Sequence, residues 1–139
     1  MATSARLLNI MIRVCGGAAF ALGLAFWLGY ARSLAPLHLR FGIGVVLALW
    51  ALAIIAWWKT TRHNLALFAT AWGLVTLVFG MTQIHLMPGP FHWIVEVAHV
   101  GVGVVAIALG AQLANAITLG RATAGPAENV AERASSNVT

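Results

Sequence analysis

Residues 36–58 read PLHLRFGIGVVLALWALAIIAWW and contain one charged side chain, Arg40. At a rise of about 1.5 Å per residue, a helix of this length crosses the hydrocarbon core of a bilayer, which is about 30 Å thick. Three further stretches have similar length and character, at about residues 7–30, 65–86 and 91–119. The four stretches predict an all-α integral membrane protein.

The composition supports this prediction and excludes several other classes of protein. Hydrophobic residues make up 61% of the chain and charged residues 8%, with a mean hydropathy of +0.91, whereas soluble domains carry about 25% charged residues. The formal net charge is +5, but the basic residues are scattered at segment ends and form no patch, which excludes nucleic acid as a partner. A single cysteine, Cys15, leaves no disulfide within the chain and no C-x-x-C motif.

The sequence also argues against hydrolytic and nucleotide-driven chemistry. It contains no aspartate and no glycine-rich phosphate loop, and no serine or cysteine has a base at a suitable spacing. A chain of 139 residues with these features is better suited to an electron-transfer or anchoring subunit than to a free-standing enzyme.

Short breaks between the four stretches predict antiparallel neighbours, and hence an up-down four-helix transmembrane bundle over residues 1–120. Residues 121–139 are small and polar and predict a disordered cytoplasmic tail. The basic residues predict the orientation, because cytoplasmic segments are enriched in Lys and Arg. Two of them, Arg32 and Arg40, lie on one side. Six lie on the other side: Arg6, Arg13, Lys59, Arg62, Arg121 and Arg133. Both termini are therefore predicted to be cytoplasmic, in a membrane such as the inner membrane of a bacterium.

Three histidines are predicted to lie at one depth. Counting from the nearest inner basic residue at about 1.5 Å per residue puts His38, His85 and His99 about 31–35 Å away, near the outer edge of the hydrocarbon. His92 lies two turns further out on the same face as His99. His63 is excluded because it lies in the loop beside Lys59 and Arg62. Ionisable residues at membrane depth are costly and are candidates for a functional site.

Two of these histidines share a motif. His38 with Gly42, and His99 with Gly103, each form an H-x-x-x-G unit at the start of the second and fourth helices. In an up-down bundle these helices are diagonal across the core, so their histidines can face each other across a gap. The glycine one turn below each histidine leaves room for a flat ligand such as haem.

This paired motif resembles that of the membrane-bound cytochromes b, in which four-helix bundles hold b-type haem between paired histidines. The resemblance covers the second and fourth helices, about half of the chain. It implies that His38 and His99 are the axial ligands of one haem b near the outer face, with the propionates directed outward to Arg32, Arg40 and His92. Members of that family with two haems carry further histidines near the opposite face, and this chain has none there.

The resemblance also implies a role and partners. A small cytochrome b subunit would pass electrons between an outer partner or the quinone pool and another membrane or peripheral redox subunit. Such a subunit belongs to a larger respiratory or photosynthetic complex. Gln83 and His85 on the third helix are candidates for binding a quinone head group.

Two other interpretations remain open. His92, Glu96 and His99 share one helical face, and Glu96 and His99 form an E-x-x-H unit. Together with His85 and His38 they could form a non-haem metal site of three or four ligands for Cu, Zn or Fe, although one glutamate is too few for a carboxylate-bridged di-iron centre. Glu96 could instead orient a ligand histidine. In the last interpretation the chain is a cofactor-free structural subunit whose histidines form hydrogen bonds between helices.

Overall fold

The computed structural model describes the backbone of residues 2–136 and the side chains of residues 3–119. Within this part of the chain the protein is helical and contains no strand. Its four α-helices are α1 (Ala2–Trp27), α2 (Ala35–Lys59), α3 (His63–Thr82) and α4 (His92–Ser136). Short 3-10 turns follow α1 and α3. The all-α prediction is confirmed.

The ends of α1 and α2 follow from local backbone chemistry. Gly29 has a φ of +86° and its N–H donates to the carbonyl of Phe26, while the N–H of Tyr30 donates to Ala25. This pair of bonds is a Schellman motif, in which the left-handed residue favours glycine. Pro36 lies in the first turn of α2, where its missing N–H leaves no hydrogen bond unmade.

All four helices are long and apolar enough to cross a membrane, which confirms the predicted spans at the level of length and composition. Large hydrophobic side chains are widely exposed, among them Trp58 at 77%. A soluble monomer rarely exposes so much apolar surface, whereas a bilayer covers it. The candidate span of α4 covers His92–Leu119, up to the last residue whose side chain is described. The predicted disordered tail begins at residue 121, where side chains are not described, and it stays a prediction.

Helices α2 and α4 form the centre of the bundle. Each contacts the other three helices, whereas α1 and α3 do not contact each other among the described residues. Small residues allow close approach at the helix interfaces: a Cβ on Gly16 would meet Ile107, and one on Gly73 would meet Trp50. Helices α2 and α4, which were predicted to be diagonal across the core, are in direct contact with each other.

The packed core occupies one half of the bundle. Fully buried side chains include Ile12 on α1, Leu49 and Leu52 on α2, and Leu113 on α4, and they belong to one apolar cluster. Each of these residues lies toward the end of the bundle that holds the start of α1 and the end of α2. The cavity described below lies toward the other half, where α2 and α4 begin. A second pocket, of about 560 Å³, lies beside the α2–α3 loop and is lined by residues such as Lys59, Arg62 and Gln112.

Candidate functional site

A cavity of about 360 Å³ is lined by residues of all four helices. Its size lies within the range of about 300–1,000 Å³ that is usual for sites that bind small ligands and cofactors. His38 and Gly42 of α2 line it on one side, and His99 and Gly103 of α4 line it on the other. The structure thus brings together the two H-x-x-x-G units that the sequence singles out.

The His38 side chain is fixed by a hydrogen bond to the backbone of α1. Its Nδ1 lies 2.9 Å from the carbonyl oxygen of Ala19. Because a carbonyl oxygen only accepts, Nδ1 carries the proton and Nε2 keeps its lone pair in the neutral ring. Histidines that bind metals commonly donate their other ring N–H to a carbonyl in this way. His38 is therefore oriented and in the tautomer that a ligand at Nε2 requires.

His99 has no equivalent anchor. Its Nδ1 is buried and has no hydrogen-bond partner among the described residues. An unpaired buried polar group costs about 1–3 kcal/mol, so the His99 ring, unlike that of His38, is not held in place by a hydrogen bond from Nδ1. A histidine that served only to link helices would be expected to have this nitrogen paired.

The two imidazole rings are neighbours between α2 and α4, and they are tilted relative to each other. Their centroids are 6.1 Å apart and their planes are inclined by 46°. Two imidazoles on opposite sides of one metal ion have ring centres about 6 Å apart, because each metal–nitrogen bond is about 2 Å long. The distance between the His38 and His99 ring centres is therefore compatible with one metal ion between them.

Each histidine is flanked by a glycine and a phenylalanine from the preceding helix. A Cβ on Gly23 of α1 would lie 3.4 Å from the His38 ring, and one on Gly80 of α3 would lie 3.2 Å from the His99 ring. The Phe26 ring lies 5.5 Å from the His38 ring at an angle of 60°, and the Phe79 ring lies 6.0 Å from the His99 ring at an angle of 32°. The surroundings of His38 between α1 and α2 thus resemble those of His99 between α3 and α4, since each imidazole has one glycine and one phenylalanine beside it.

Gly42 and Gly103 open onto free space. A Cβ at either position would meet no atom within 4 Å, and both residues line the cavity. Helix packing alone does not explain these glycines, since neither allows a neighbouring helix to approach. They keep the walls of the cavity flat beside the two histidines, as a planar ligand requires.

The predicted outer partners do not line this cavity. Arg40 is exposed and directed elsewhere, and Arg32 is exposed in the turn before α2. His92 begins α4, and its Nδ1 lies 3.0 Å from the carbonyl oxygen of Leu86, which ties the α3–α4 loop to the helix. These three residues therefore do not form one polar cluster with His38 and His99.

The alternative metal site gains no support from the arrangement. His85 is exposed in the 3-10 turn after α3, beside the half-buried Gln83, and Glu96 is half-buried on α4. Among the described residues, no group of three or more His, Cys, Asp or Glu side chains is placed to hold a metal ion. Binding of a quinone by Gln83 and His85 stays a prediction.

One residue of the cavity wall was missed by the sequence analysis. Arg13 lines the cavity from α1, and its exposed side chain lies in the N-terminal half of a helix that is long and apolar enough to cross a membrane. An arginine near the centre of a span costs about 2.5–3.5 kcal/mol on insertion scales. Its spacing from Gly16 and Gly17, three and four residues later, is the signal that could have identified it, because such residues share a helical face.

Comparison of the chain with models of known protein families, with curated proteins and with solved structures finds no significant match. The functional argument therefore depends on the geometry of the cavity and its lining.

Proposed function

We propose that this chain is a membrane-embedded b-type haem protein that transfers electrons, with His38 and His99 as the axial ligands of one haem. The observation that carries the proposal is the pair of imidazoles 6.1 Å apart in a cavity that is otherwise mostly apolar. Haem bound there would supply reversible one-electron chemistry at its iron.

The residues of the chain would orient the haem and tune its potential. The Ala19 carbonyl accepts the Nδ1 proton of His38, which makes this imidazole a stronger electron donor and favours the oxidised iron. The apolar walls exclude water and favour the less charged, reduced state. Gly42 and Gly103 leave space for the ring. These opposing effects set the potential of the centre.

The orientation in the membrane is part of the proposal. Six basic residues, Arg6, Arg13, Lys59, Arg62, Arg121 and Arg133, lie toward the side of the termini, and two, Arg32 and Arg40, lie toward the other side. This ratio still favours an up-down bundle with both termini in the cytoplasm. His38 and His99 lie near the starts of α2 and α4, so the haem would be close to the outer face.

Electron partners follow from this location. A haem near the outer face of a bacterial inner membrane would exchange electrons with a peripheral redox protein, another membrane subunit or quinol. We propose a subunit of a larger respiratory or photosynthetic complex, since a chain of 139 residues with one haem could not by itself move electrons across the whole membrane.

The proposal is tested by replacing the ligands one at a time. His38→Ala and His99→Ala should each abolish the low-spin spectrum of haem with two imidazole ligands, since each leaves one side of the iron without its histidine. The matched control is His63→Ala, because His63 lies at the other end of the bundle and stacks on Trp57 at 4.7 Å. Absorption spectra of oxidised and reduced purified protein provide the measurement.

Two further variants separate haem from a non-haem metal. Glu96→Gln and His92→Gln should retain haem, since neither residue lines the cavity. If Glu96→Gln lost all cofactor while His38→Ala kept its full cofactor content, the metal site would instead lie on the face of α4 that carries His92, Glu96 and His99. Full retention of the two-imidazole spectrum in His38→Ala or His99→Ala would rule out the proposed ligation.

A further inference from the structure

Arg13 is the one residue with a permanent charge among the described residues that line the cavity. It shares a helical face of α1 with Gly16, Gly17 and Phe20, all of which also line the cavity. Helix α1 continues to Ala19, whose carbonyl oxygen accepts a hydrogen bond from the His38 ring. Arg13 thus belongs to the same binding surface as the two histidines.

The position of Arg13 along α1 puts it below the imidazoles. It precedes Ala19 by six residues, which corresponds to about 9 Å along the helix axis. This displacement is toward the start of α1, and so toward the inner half of the bundle. The cavity therefore has its two imidazoles at one level and its cationic side chain at another.

No acidic residue lines the cavity to balance this charge. Within the described side chains, residues 3–119, the sequence has one acidic residue, Glu96, and it is not part of the lining. A guanidinium beside an apolar cavity is stabilised by an anion, and it binds a carboxylate through two parallel hydrogen bonds. The cavity is therefore complementary to a large apolar ligand that carries a carboxylate.

We propose that Arg13 binds a propionate carboxylate of the haem, so that the acidic edge of the ligand is directed toward the inner half of the bundle. This inference rests on the proposed haem ligation by His38 and His99. It differs from the sequence-based expectation, in which outward-directed propionates met Arg32, Arg40 and His92. The structure puts a cation in the cavity lining on the side of the α1 N-terminus, and none of those three residues lines the cavity.

The test compares two cofactors that differ in charge. Haemin and haemin dimethyl ester have the same ring and iron, but the ester lacks the carboxylates. We expect the purified wild-type apoprotein to bind haemin at least about tenfold more tightly than the ester, because a charge-assisted hydrogen bond is lost. Equal affinity of the wild-type protein for the two cofactors would overturn the proposal without any substitution.

Substitutions then assign the preference to one residue. In Arg13→Gln the preference for haemin over the ester should largely disappear, whereas Arg13→Lys should keep part of it because the charge remains. The matched control is Arg40→Gln, which removes an exposed arginine outside the cavity and should keep the full preference. An unchanged preference in Arg13→Gln, or its loss in Arg40→Gln, would contradict the proposal.

The reduction potential gives a readout independent of affinity. Removing a positive charge near the iron favours the oxidised state, so the midpoint potential of Arg13→Gln should fall below that of the wild type, with no fall in Arg40→Gln. Failure of the wild-type protein to form a low-spin haem complex with haemin would reject the haem function itself. A normal complex with no effect of Arg13→Gln would reject only the role of Arg13, as expected if its guanidinium contacts lipid phosphate.

Discussion

Two glycines on α4, only two residues apart, illustrate how single residues define the site. A Cβ on Gly101 or on Gly103 would meet no atom within 4 Å, so neither residue is required for helix contact. Gly103 lines the cavity, and Gly101 does not. A larger side chain should therefore be compatible with the fold at both positions and with a bound ligand at only one.

We accordingly predict that the same substitution to leucine has different effects on haem content at these two positions. Gly103→Leu should lower the haem content of the purified protein severalfold, because a leucine side chain would occupy part of the cavity beside His99. Gly101→Leu should leave haem content unchanged. The measurement is the haem-to-protein ratio, with the helical circular dichroism of both variants as a check on folding. Equal haem content in two folded variants would show that the cavity is not the haem site.

The sequence predicted the residues that lie close to the imidazole level, and it missed the one that does not. Depth along a helix follows from the rise of about 1.5 Å per residue, which is why His38 and His99 could be matched. Arg40, which was grouped with them, is two residues from His38, or about 200° around the helix, and it does not line the cavity. Arg13 was counted only among the basic residues that predict the orientation.

At the scale of elements, the spans were predicted well and their ends less well. Apolar length alone identified all four helices. The end of α1 was predicted at about residue 30, but the helix ends at Trp27 because Gly29 adopts a left-handed conformation. The third helix was predicted to continue to about residue 86, but α3 ends at Thr82 and a 3-10 turn follows. These differences arise from hydrogen bonding at helix ends, which hydropathy does not report.

The sequence revealed only part of the similarity between the surroundings of His38 and those of His99. The H-x-x-x-G units of α2 and α4 can be aligned directly. Their partners on the preceding helices, Gly23 with Phe26 and Gly80 with Phe79, have opposite order and different spacing along the chain. Packing creates the similarity between them, so no alignment of the two halves would have found it.

At the scale of the whole molecule, the main apolar cluster and the histidine-lined cavity lie at different levels of the bundle. The apolar cluster around Leu49, Leu52 and Leu113 holds the helices together at one end. The other end keeps two histidines and several glycines around open space. The apolar cluster that stabilises the bundle and the cavity that could bind a ligand thus lie at different levels of the same four helices. A ligand between α2 and α4 would fill the cavity.

At this scale we predict which end of the bundle faces which side of the membrane. With both termini in the cytoplasm, the histidine level faces outward. A reporter fused after Thr139, or inserted at Thr61 in the α2–α3 loop, should therefore report a cytoplasmic location. Insertion at Ser33 or Gly89 should report an external one. The reverse result at all four positions would put the histidines near the inner face and reverse the side from which redox partners approach.

The central claim is that His38 and His99 hold one haem b between them. The most direct test is to purify the wild-type chain from cells supplied with a haem precursor, count the haem as its pyridine complex, and record the electron paramagnetic resonance of the oxidised protein. The account predicts about one haem b per chain with the low-spin signal of two imidazole ligands. Protein that is folded and helical but contains no haem, or only a high-spin haem, and that forms no low-spin complex when haemin is added, would contradict it.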